Sequence, residues 1–201
     1  MCIRDRDLSG EHRPPISRFH HREDRAFYLE FLSPLRGSGR RRDGSEDATI
    51  KIAGATAQKL RHLDVLFVDP WQLDLEPSAD LPLSKSARAQ VANPVSFVVQ
   101  KLLIHESRLD DKRAQDLLYI HDTIELFGAQ LASLNRLWLE EVKPTLTRKE
   151  LATVNRQSVD LFKSVTDTIR EAVLIPADRS LGAEELRVRC SVGLRELLAP
   201  E

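Results

Sequence analysis

The pattern of apolar and polar residues changes character partway along the chain, near Asn93. Before this point, short segments alternate apolar and polar residues with a period of two, which is typical of β-strands. This alternation predicts strands over residues 16–21, 26–32, 49–53 and 71–75, the first two forming a hairpin around the polar turn REDR. Residues 55–68 are ambiguous, and the apolar spacing from Leu60 to Phe67 favours a short helix.

After Asn93 the apolar residues recur every three or four positions, which is the spacing of amphipathic helices. This spacing predicts helices over residues 94–107, 111–127, 129–141, 147–154, 156–174 and 182–198. Strands first and helices afterwards is the α+β pattern. We therefore expect a small mixed β-sheet followed by a mainly helical C-terminal part, with a β-rich region at residues 7–90 and a helical region at residues 91–201.

Composition and charge narrow the class of protein. The chain has 201 residues, of which 41% are hydrophobic, enough for a folded domain with a real core. Lys plus Arg (30) balances Asp plus Glu (31), so the net charge gives no general attraction to nucleic acid or a membrane. No apolar run approaches the roughly 20 residues that span a bilayer. Cys190 is the single cysteine after residue 6, so we expect a cytoplasmic protein without a membrane partner.

The first six residues, MCIRDR, resemble the translation of a sequencing adapter. We therefore treat residues 1–6 as an artefact and exclude them from reasoning about the fold. On this interpretation the authentic sequence begins near Asp7, and further protein precedes it.

The densest group of charged residues lies between the first two predicted helices. The first helix carries Lys101 among apolar residues, and the second opens with a basic and acidic run that includes Arg113 and Asp116. Ordinary explanations exist for all three. A lysine at the edge of an amphipathic helix extends its amine to solvent. An aspartate in a first helical turn pairs with the helix dipole and with Lys112 or Arg113.

The same elements resemble a pattern of nucleotidyltransferase-like proteins of the DNA polymerase β superfamily, in their minimal and abortive-infection toxin branches. In those proteins a helix entered through Pro-x-x-Phe carries a lysine, and an R-x-K-D-like element follows. Here Pro94 and Phe97 precede Lys101, and residues 113–116 read R-A-Q-D, with glutamine in place of the usual lysine. The resemblance spans residues 26–127. It implies that Lys101 and Arg113 bind the nucleotide and that Asp116 orients them.

Members of that superfamily carry three carboxylates on a small sheet, which hold two Mg²⁺ or Mn²⁺ ions. The resemblance implies that Glu30, within FYLEFLSP, is the third carboxylate, with a catalytic and metal-binding role. The alternative is a solvent-facing strand residue paired with Arg18 or His20 across the hairpin. The sequence lacks the Gly-Ser turn with D-x-D that supplies the other two carboxylates. We expect them upstream, which leaves the chain as given catalytically incomplete.

Two functions of different classes follow. The resemblance implies transfer of a nucleoside monophosphate from an NTP to an acceptor hydroxyl on RNA, a protein or a small molecule. For that reaction we expect Glu30, Lys101 and Asp116 to approach one cleft. The alternative is a non-catalytic binding module of the same fold that acts through a protein partner, which Gln115 favours. An unrelated α+β domain is the third interpretation.

One basic segment, Arg36 to Arg42, stands apart from this pattern. It is explained by a solvated, mobile hairpin loop, or by a loop that contacts the phosphates of a nucleotide or RNA. The sequence contains no zinc-binding spacing, P-loop or nucleophile elbow, so other enzyme classes have no support.

Overall fold

The computed structural model describes residues 6–8, 16–21, 28–78 and 83–200. Side chains are described within these ranges except at residues 6–8, 110 and 111. The chain forms two compact units, Met1–Asp64 and Val65–Glu201.

The first unit is built from two three-stranded sheets. Strands β1 (Arg6–Leu8), β2 (Ser17–His20) and β3 (Tyr28–Glu30) form an antiparallel sheet in that order. Strands β4 (Leu32–Pro34), β5 (Thr49–Ile52) and β6 (Ala55–Leu60) form the second sheet, in which β6 is central. Because β4 runs parallel and β5 antiparallel to β6, the second sheet is mixed.

A tight turn and one buried hydroxyl shape this unit. Ala53 and Gly54 connect β5 to β6 with positive φ angles of 48° and 83°, as a two-residue hairpin loop of the primed type requires. The Ser17 hydroxyl accepts a hydrogen bond of 3.0 Å from the amide of Thr56, which ties β2 to β6. The buried apolar residues are Ile16, Ala55, Ala57 and Leu63.

The second unit has one hairpin and a bundle of helices. Strands β7 (Trp71–Leu75) and β8 (Ala87–Val91) pair antiparallel, with Trp71 opposite Val91. The α-helices are α1 (Pro94–Ile104), α2 (Asp110–Phe127), α3 (Leu131–Leu137), α4 (Arg148–Asp160), α5 (Asp167–Ala172) and α6 (Ala183–Leu197). Short 3₁₀ turns lie at Asp64–Phe67, His105–Ser107, Gly128–Gln130 and Lys143–Thr145, and a π-helical turn at Trp138–Val142.

Helix α2 is central in this bundle, since it packs against α1, α5 and α6, and α1 packs against α4. The core between the helices is apolar, and its largest buried side chains are Trp138, Phe162, Leu102, Leu117, Ile120, Ile169, Leu186, Leu194 and Leu197. Helices α2 and α6 pack tightly at Gly193, where a Cβ atom would overlap the side chain of Ile124.

Helix starts in this unit follow capping chemistry. Asn93 caps α1, accepting a 2.8 Å hydrogen bond from the amide of Ser96, and Pro94 occupies the first turn. Thr147 and Glu150 form a capping box at α4. These residues fix where each helix begins, and the predicted starts at residues 94 and 147 agree closely with those of α1 and α4.

The α+β class with a helical C-terminal part is confirmed. Among the described residues, the strands end with β8 at Val91 and helices follow from Pro94. The domain boundaries at residues 90 and 91 stay a prediction, and the compact units themselves divide after Asp64. The predicted turn at residues 22–25, residues 26 and 27 of the second predicted strand, and residues 1–5 lie outside the described residues.

Several element predictions were wrong. The helix expected over residues 156–174 is interrupted, because α4 ends at Asp160 and α5 begins only at Asp167. The described part of the strand expected over residues 26–32 is divided between β3 and β4, which belong to different sheets. Residues 55–60 form strand β6 because β4 and β5 pair with both of its edges, and only a 3₁₀ turn at Asp64–Phe67 is helical in this stretch. Helix α4 continues to Asp160, past the expected break at residue 155. Strand β8 was not predicted: its sequence ARAQV does alternate apolar and polar residues, but two of its three apolar positions are alanine, which is depleted in strands.

Candidate functional site

The charged residues between α1 and α2 form one compact cluster. The Nζ atom of Lys101 lies 2.8 Å from Oδ1 of Asp116, and their side chains are only 10% and 1% exposed. Arg108 approaches the other oxygen of the same carboxylate, with Nε 2.9 Å from Oδ2. Arg108 is 34% exposed, so it is the cation of the cluster that solvent reaches.

The connection between the helices creates this arrangement. Helix α1 ends at Ile104, the 3₁₀ turn His105–Ser107 follows, and α2 returns antiparallel to α1. The hydroxyl of Ser107 donates to the carbonyl of Ile104 at 2.8 Å, and the amide of Arg108 donates to the carbonyl of His105 at 3.2 Å. Arg108 therefore leaves a fixed turn and points its guanidinium at the first turns of α2.

These contacts correct the ordinary explanations of the sequence. Lys101 does not extend its amine to solvent, because the amine is buried against Asp116. Asp116 was expected to pair with Lys112 or Arg113 of its own helix. Its observed partners include Lys101 of α1 and Arg108 of the connecting turn. Sequence reasoning missed Arg108, and the one available signal was its place in the dense charged segment.

Two aromatic rings flank the amine of Lys101. Its Nζ atom lies 5.2 Å from the ring centre of Phe97 and 5.3 Å from that of Tyr119, within the range of cation–π attraction. Gln115 donates from Nε2 to the Tyr119 hydroxyl at 2.7 Å. The glutamine that stands in place of the family lysine therefore holds one of the rings beside Lys101.

Arg113 braces the turn that carries Arg108. Its Nη2 atom donates to the backbone carbonyl of Glu106 at 3.2 Å. The side chain of Glu106 pairs with Arg156 of α4 at 2.7 Å, and hydrogen bonding by Arg156 lowers the pKa of the Glu106 carboxyl. The expected contact of Arg113 with nucleotide phosphates stays a prediction.

His105 is buried at the start of this turn, one helical turn after Lys101. Burial lowers the pKa of its imidazole, and the positive charge of Arg113 lowers it further, against smaller opposing effects of Asp116 and Glu106. Its Nδ1 atom has no hydrogen-bond partner among the described residues. The surroundings of His105 therefore favour the neutral form of its imidazole, and sequence reasoning did not single out this residue.

Glu30 lies in the first unit, on β3, directly opposite Arg18 of β2. Its carboxylate accepts a hydrogen bond from Nε of Arg18, whose guanidinium also stacks 4.9 Å from the ring centre of Tyr28. The cross-strand pairing that the sequence offered as the alternative explanation for Glu30 is therefore present.

The described residues do not fit a pair of divalent ions. Within residues 6–8, 16–21, 28–78 and 83–200, no group of three or more His, Cys, Asp or Glu side chains could hold a metal. Glu30 has the guanidinium of Arg18 against one oxygen of its carboxylate, Oε1. Binding of Mg²⁺ or Mn²⁺ stays a prediction. Glu30 belongs to the first unit and Lys101 and Asp116 to the second, so their approach to one cleft also stays a prediction.

The basic segment Arg36 to Arg42 forms a folded hairpin loop. Arg40 and Glu46 make an antiparallel bridge across it. Arg61 donates to the carbonyls of Gly37 and Ser38 at 3.3 and 2.9 Å, so the loop is fastened to the end of β6.

Comparison with known proteins gives the class. A family model described as nucleotidyltransferase matches residues 8–144, which is more than half of the chain. The chain belongs to this nucleotidyltransferase family. Membership implies a nucleoside triphosphate as substrate, and the matched span contains the whole Lys101–Arg108–Asp116 cluster. No curated protein and no solved structure matches the chain. No helix in the described part of the chain is long and apolar enough to cross a bilayer.

Proposed function

We propose that the protein transfers a nucleoside monophosphate from an NTP to an acceptor hydroxyl, and that Lys101, Arg108 and Asp116 form the cationic side of its nucleotide site. The observation that carries the proposal is the buried Lys101–Asp116 ion pair, shared with the partly exposed Arg108, within the span that matches the family.

The charges of this cluster suit an anionic ligand. Two cations share one carboxylate, so the group has one positive charge in excess. Lys101 is buried and has Asp116 as its partner, which makes it the anchor of the site. Arg108 uses Nε and Nη2 toward Asp116, and among the described contacts its Nη1 group has no partner. Guanidinium groups bind phosphate oxygens through two parallel N–H donors.

The structure also suggests how the site would favour reaction. Phosphoryl and nucleotidyl transfer are accelerated mainly by positioning and by stabilising negative charge that develops on phosphate oxygens. A guanidinium held in place by a buried carboxylate does not need to reorganise when that charge develops. Asp116 therefore acts as a positioning residue for Arg108 and Lys101, and Arg113 acts by bracing the turn.

The carboxylate side of the proposal rests on the sequence alone. Glu30 would be one acidic group, and Mg²⁺ or Mn²⁺ would supply further charge neutralisation when bound. The described residues do not form that metal site, so no catalytic step is assigned to it. The acceptor would be RNA, a protein or a small molecule. Cys190 is a free, buried thiol, which suits the proposed cytoplasmic location.

The proposal is tested by nucleotide affinity. Isothermal titration with each NTP is expected to give saturable binding, which Arg108→Gln weakens about tenfold or more, because a hydrogen bond to a charged group contributes about 1.5–3 kcal/mol. Arg170→Gln is the matched control, since Arg170 is an exposed arginine of α5 paired with Asp167. Absence of NTP binding, or equal affinities of the two variants, would show that the cluster is not the nucleotide site.

A second candidate is a non-catalytic module of the same fold that acts through a protein partner. It is favoured by an apolar cleft of about 580 Å³ in the first unit, lined by Phe19, Leu29, Phe31, Leu32, Ile52 and Ala57. Incubation with labelled NTP, Mg²⁺ and total RNA or protein separates the candidates. Label transfer supports the enzyme, whereas tight NTP binding without transfer to any acceptor supports the module.

A further inference from the structure

A second pocket, which lies in the second unit, is next to the cluster of Lys101, Arg108 and Asp116. It has a volume of about 330 Å³ and is lined by Trp71, Leu73, Val91, Pro94, Phe97 and Phe127. Three of these six side chains are aromatic, and the rings of Trp71 and Phe127 meet edge to face at 5.5 Å. The volume falls within the range of small-molecule sites, about 300–1,000 Å³.

Phe97 connects this pocket to the charged cluster. Its ring forms part of the pocket wall and also lies 5.2 Å from Nζ of Lys101. From Lys101 the contacts continue at 2.8 Å to Asp116 and at 2.9 Å from Asp116 to Arg108. The aromatic pocket and the exposed guanidinium of Arg108 therefore lie at the two ends of the surface that α1 and α2 share. The contacts that join these ends pass beneath that surface, through the buried side chains of Lys101 and Asp116.

The order of residues along the helices explains this arrangement. Phe97, Lys101 and His105 follow one another at four-residue spacing along one side of α1 and its 3₁₀ extension. Phe127, Thr123 and Tyr119 do the same along α2, which runs the opposite way. The apolar end of the surface lies at the start of α1, and the cationic end lies where the chain turns into α2.

We infer that this aromatic pocket, here called the base pocket, binds the nucleobase of the NTP whose phosphates contact Arg108. The inference rests on the proposed function, because it concerns the same nucleotide. A nucleobase has two aromatic faces that stack on Trp and Phe rings. The triphosphate attached to the base carries the negative charge that the cationic end of the surface complements.

The lining also determines the specificity of the base pocket. Its side chains carry two polar groups, the indole N–H of Trp71 and the hydroxyl of Thr123, and that hydroxyl already donates to the carbonyl of Tyr119 at 2.8 Å. Stacking without donors and acceptors aimed at the base edge does not distinguish adenine from guanine. The larger purine ring system stacks over more area than a pyrimidine. The pocket therefore prefers purine over pyrimidine triphosphates, with little choice between ATP and GTP.

The test compares ATP, UTP and inorganic tripolyphosphate as ligands of the full chain. Trp71→Leu is expected to raise the Kd for ATP about tenfold, the effect of losing one base stack, to raise the Kd for UTP less, and to leave tripolyphosphate affinity unchanged. Phe67→Leu is the matched control, since Phe67 is an exposed aromatic residue outside the pocket. Thermal unfolding followed by circular dichroism confirms that each variant is folded.

A second measurement needs no variant. ATP is expected to quench the fluorescence of the wild-type protein by stacking on Trp71, and tripolyphosphate at saturation is not. If ATP affinity is the same in Trp71→Leu and Phe67→Leu, or if ATP and tripolyphosphate change the fluorescence equally, this pocket does not bind the nucleobase. In that case the proposed function still stands, provided that Arg108→Gln weakens ATP and tripolyphosphate alike. If Arg108→Gln weakens neither ligand, the proposed function itself fails.

Discussion

The amine of Lys101 lies 2.8 Å from the carboxylate of Asp116, and neither side chain has appreciable contact with solvent. The two partners are not equivalent, because Asp116 also accepts a hydrogen bond from Arg108 at 2.9 Å. Asp116 therefore has two cations, whereas Lys101 has a single carboxylate. Removing one partner of a buried ion pair leaves the other charge uncompensated, which costs about 3–5 kcal/mol.

This asymmetry predicts unequal losses of stability. Asp116→Ala is expected to destabilise the fold by about 3–5 kcal/mol, because it strands the buried amine of Lys101. Lys101→Met is expected to cost less, since Arg108 still neutralises Asp116 and the methionine side chain packs between Phe97 and Tyr119. Urea unfolding of both variants measures the difference. A larger loss in Lys101→Met would contradict the assignment of Arg108 as the second partner.

A second prediction separates the two explanations of Glu30. Glu30→Gln keeps an oxygen that accepts the hydrogen bond from Arg18 but removes the charge that a metal ion needs. If Glu30 acts at the metal ions, turnover in a preparation that shows transfer activity falls while the Kd for NTP changes little. Unchanged turnover, with stability within about 1 kcal/mol of the wild type, would leave Glu30 only its cross-strand role.

The buried imidazole of His105 predicts a dependence of stability on pH. Burial and the charge of Arg113 lower the pKa of His105 below the ordinary value, which is about 6.5. As pH falls through that value, the unfolded chain takes up a proton at this position before the folded chain does, so the free energy of unfolding decreases. His105→Leu is expected to flatten this decrease between pH 7.5 and 5.5. Parallel curves of unfolding free energy against pH for the variant and the wild type would refute this prediction.

Close approach of α2 and α6 predicts that Gly193 does not tolerate a methyl group. Gly193→Ala is expected to destabilise the fold by about 1–3 kcal/mol, because the added Cβ atom would overlap Ile124 in the core. Gly128→Ala is the matched control, since a Cβ atom there meets no atom within 4 Å and the backbone is helical. That control is expected to be neutral, or stabilising by up to about 1 kcal/mol. Chemical denaturation of the pair decides, and equal stabilities would argue against a tight crossing.

The thiol of Cys190 is expected to react slowly in the native protein. Burial raises the pKa of this thiol, and the carboxylates of Asp122 and Glu125 raise it further, so little thiolate forms at neutral pH. Alkylation by iodoacetamide, followed by mass spectrometry of the peptide that contains Cys190, is expected to be on the order of a hundredfold slower than in urea. Rapid labelling under native conditions would mean that α6 opens locally.

The helices of the second unit could be predicted because their signal is local. Apolar spacing placed α2 at residues 111–127, and the structure has Asp110–Phe127. Strands β6 and β8 escaped because their pairing partners, not their own sequences, make them strands. In β8 the alternating apolar positions are Ala87, Ala89 and Val91, and the two small alanines give too weak a strand signal to indicate the pairing with β7.

The residues of the candidate site show the same difference between local signals, which the sequence contains, and tertiary contacts, which it does not indicate. Lys101 and Asp116 stood out because each occupies a recognisable place in a helix, and the resemblance to a family gave both a role. Arg108 lies in the turn between the helices, where no periodicity exists, and His105 lies just before it, in the last turn of the helix predicted over residues 94–107. Their positions depend on the reversal of chain direction that brings Arg108 to Asp116, eight positions later. The spacing of residues along the sequence does not indicate this reversal.

One amide side chain fastens the segment that precedes Trp71 to the start of α1. Besides capping α1, Asn93 donates from Nδ2 to the carbonyls of Val68 and Asp69, at 2.8 and 3.0 Å. Aspartate lacks these donors, serine has one hydroxyl, and glutamine is longer by one methylene. Anyone transplanting the base pocket and the cation cluster into another helical scaffold would therefore need to carry asparagine at this position. Without it, the segment that bears Trp71 would lose its alignment with the helix that bears Lys101.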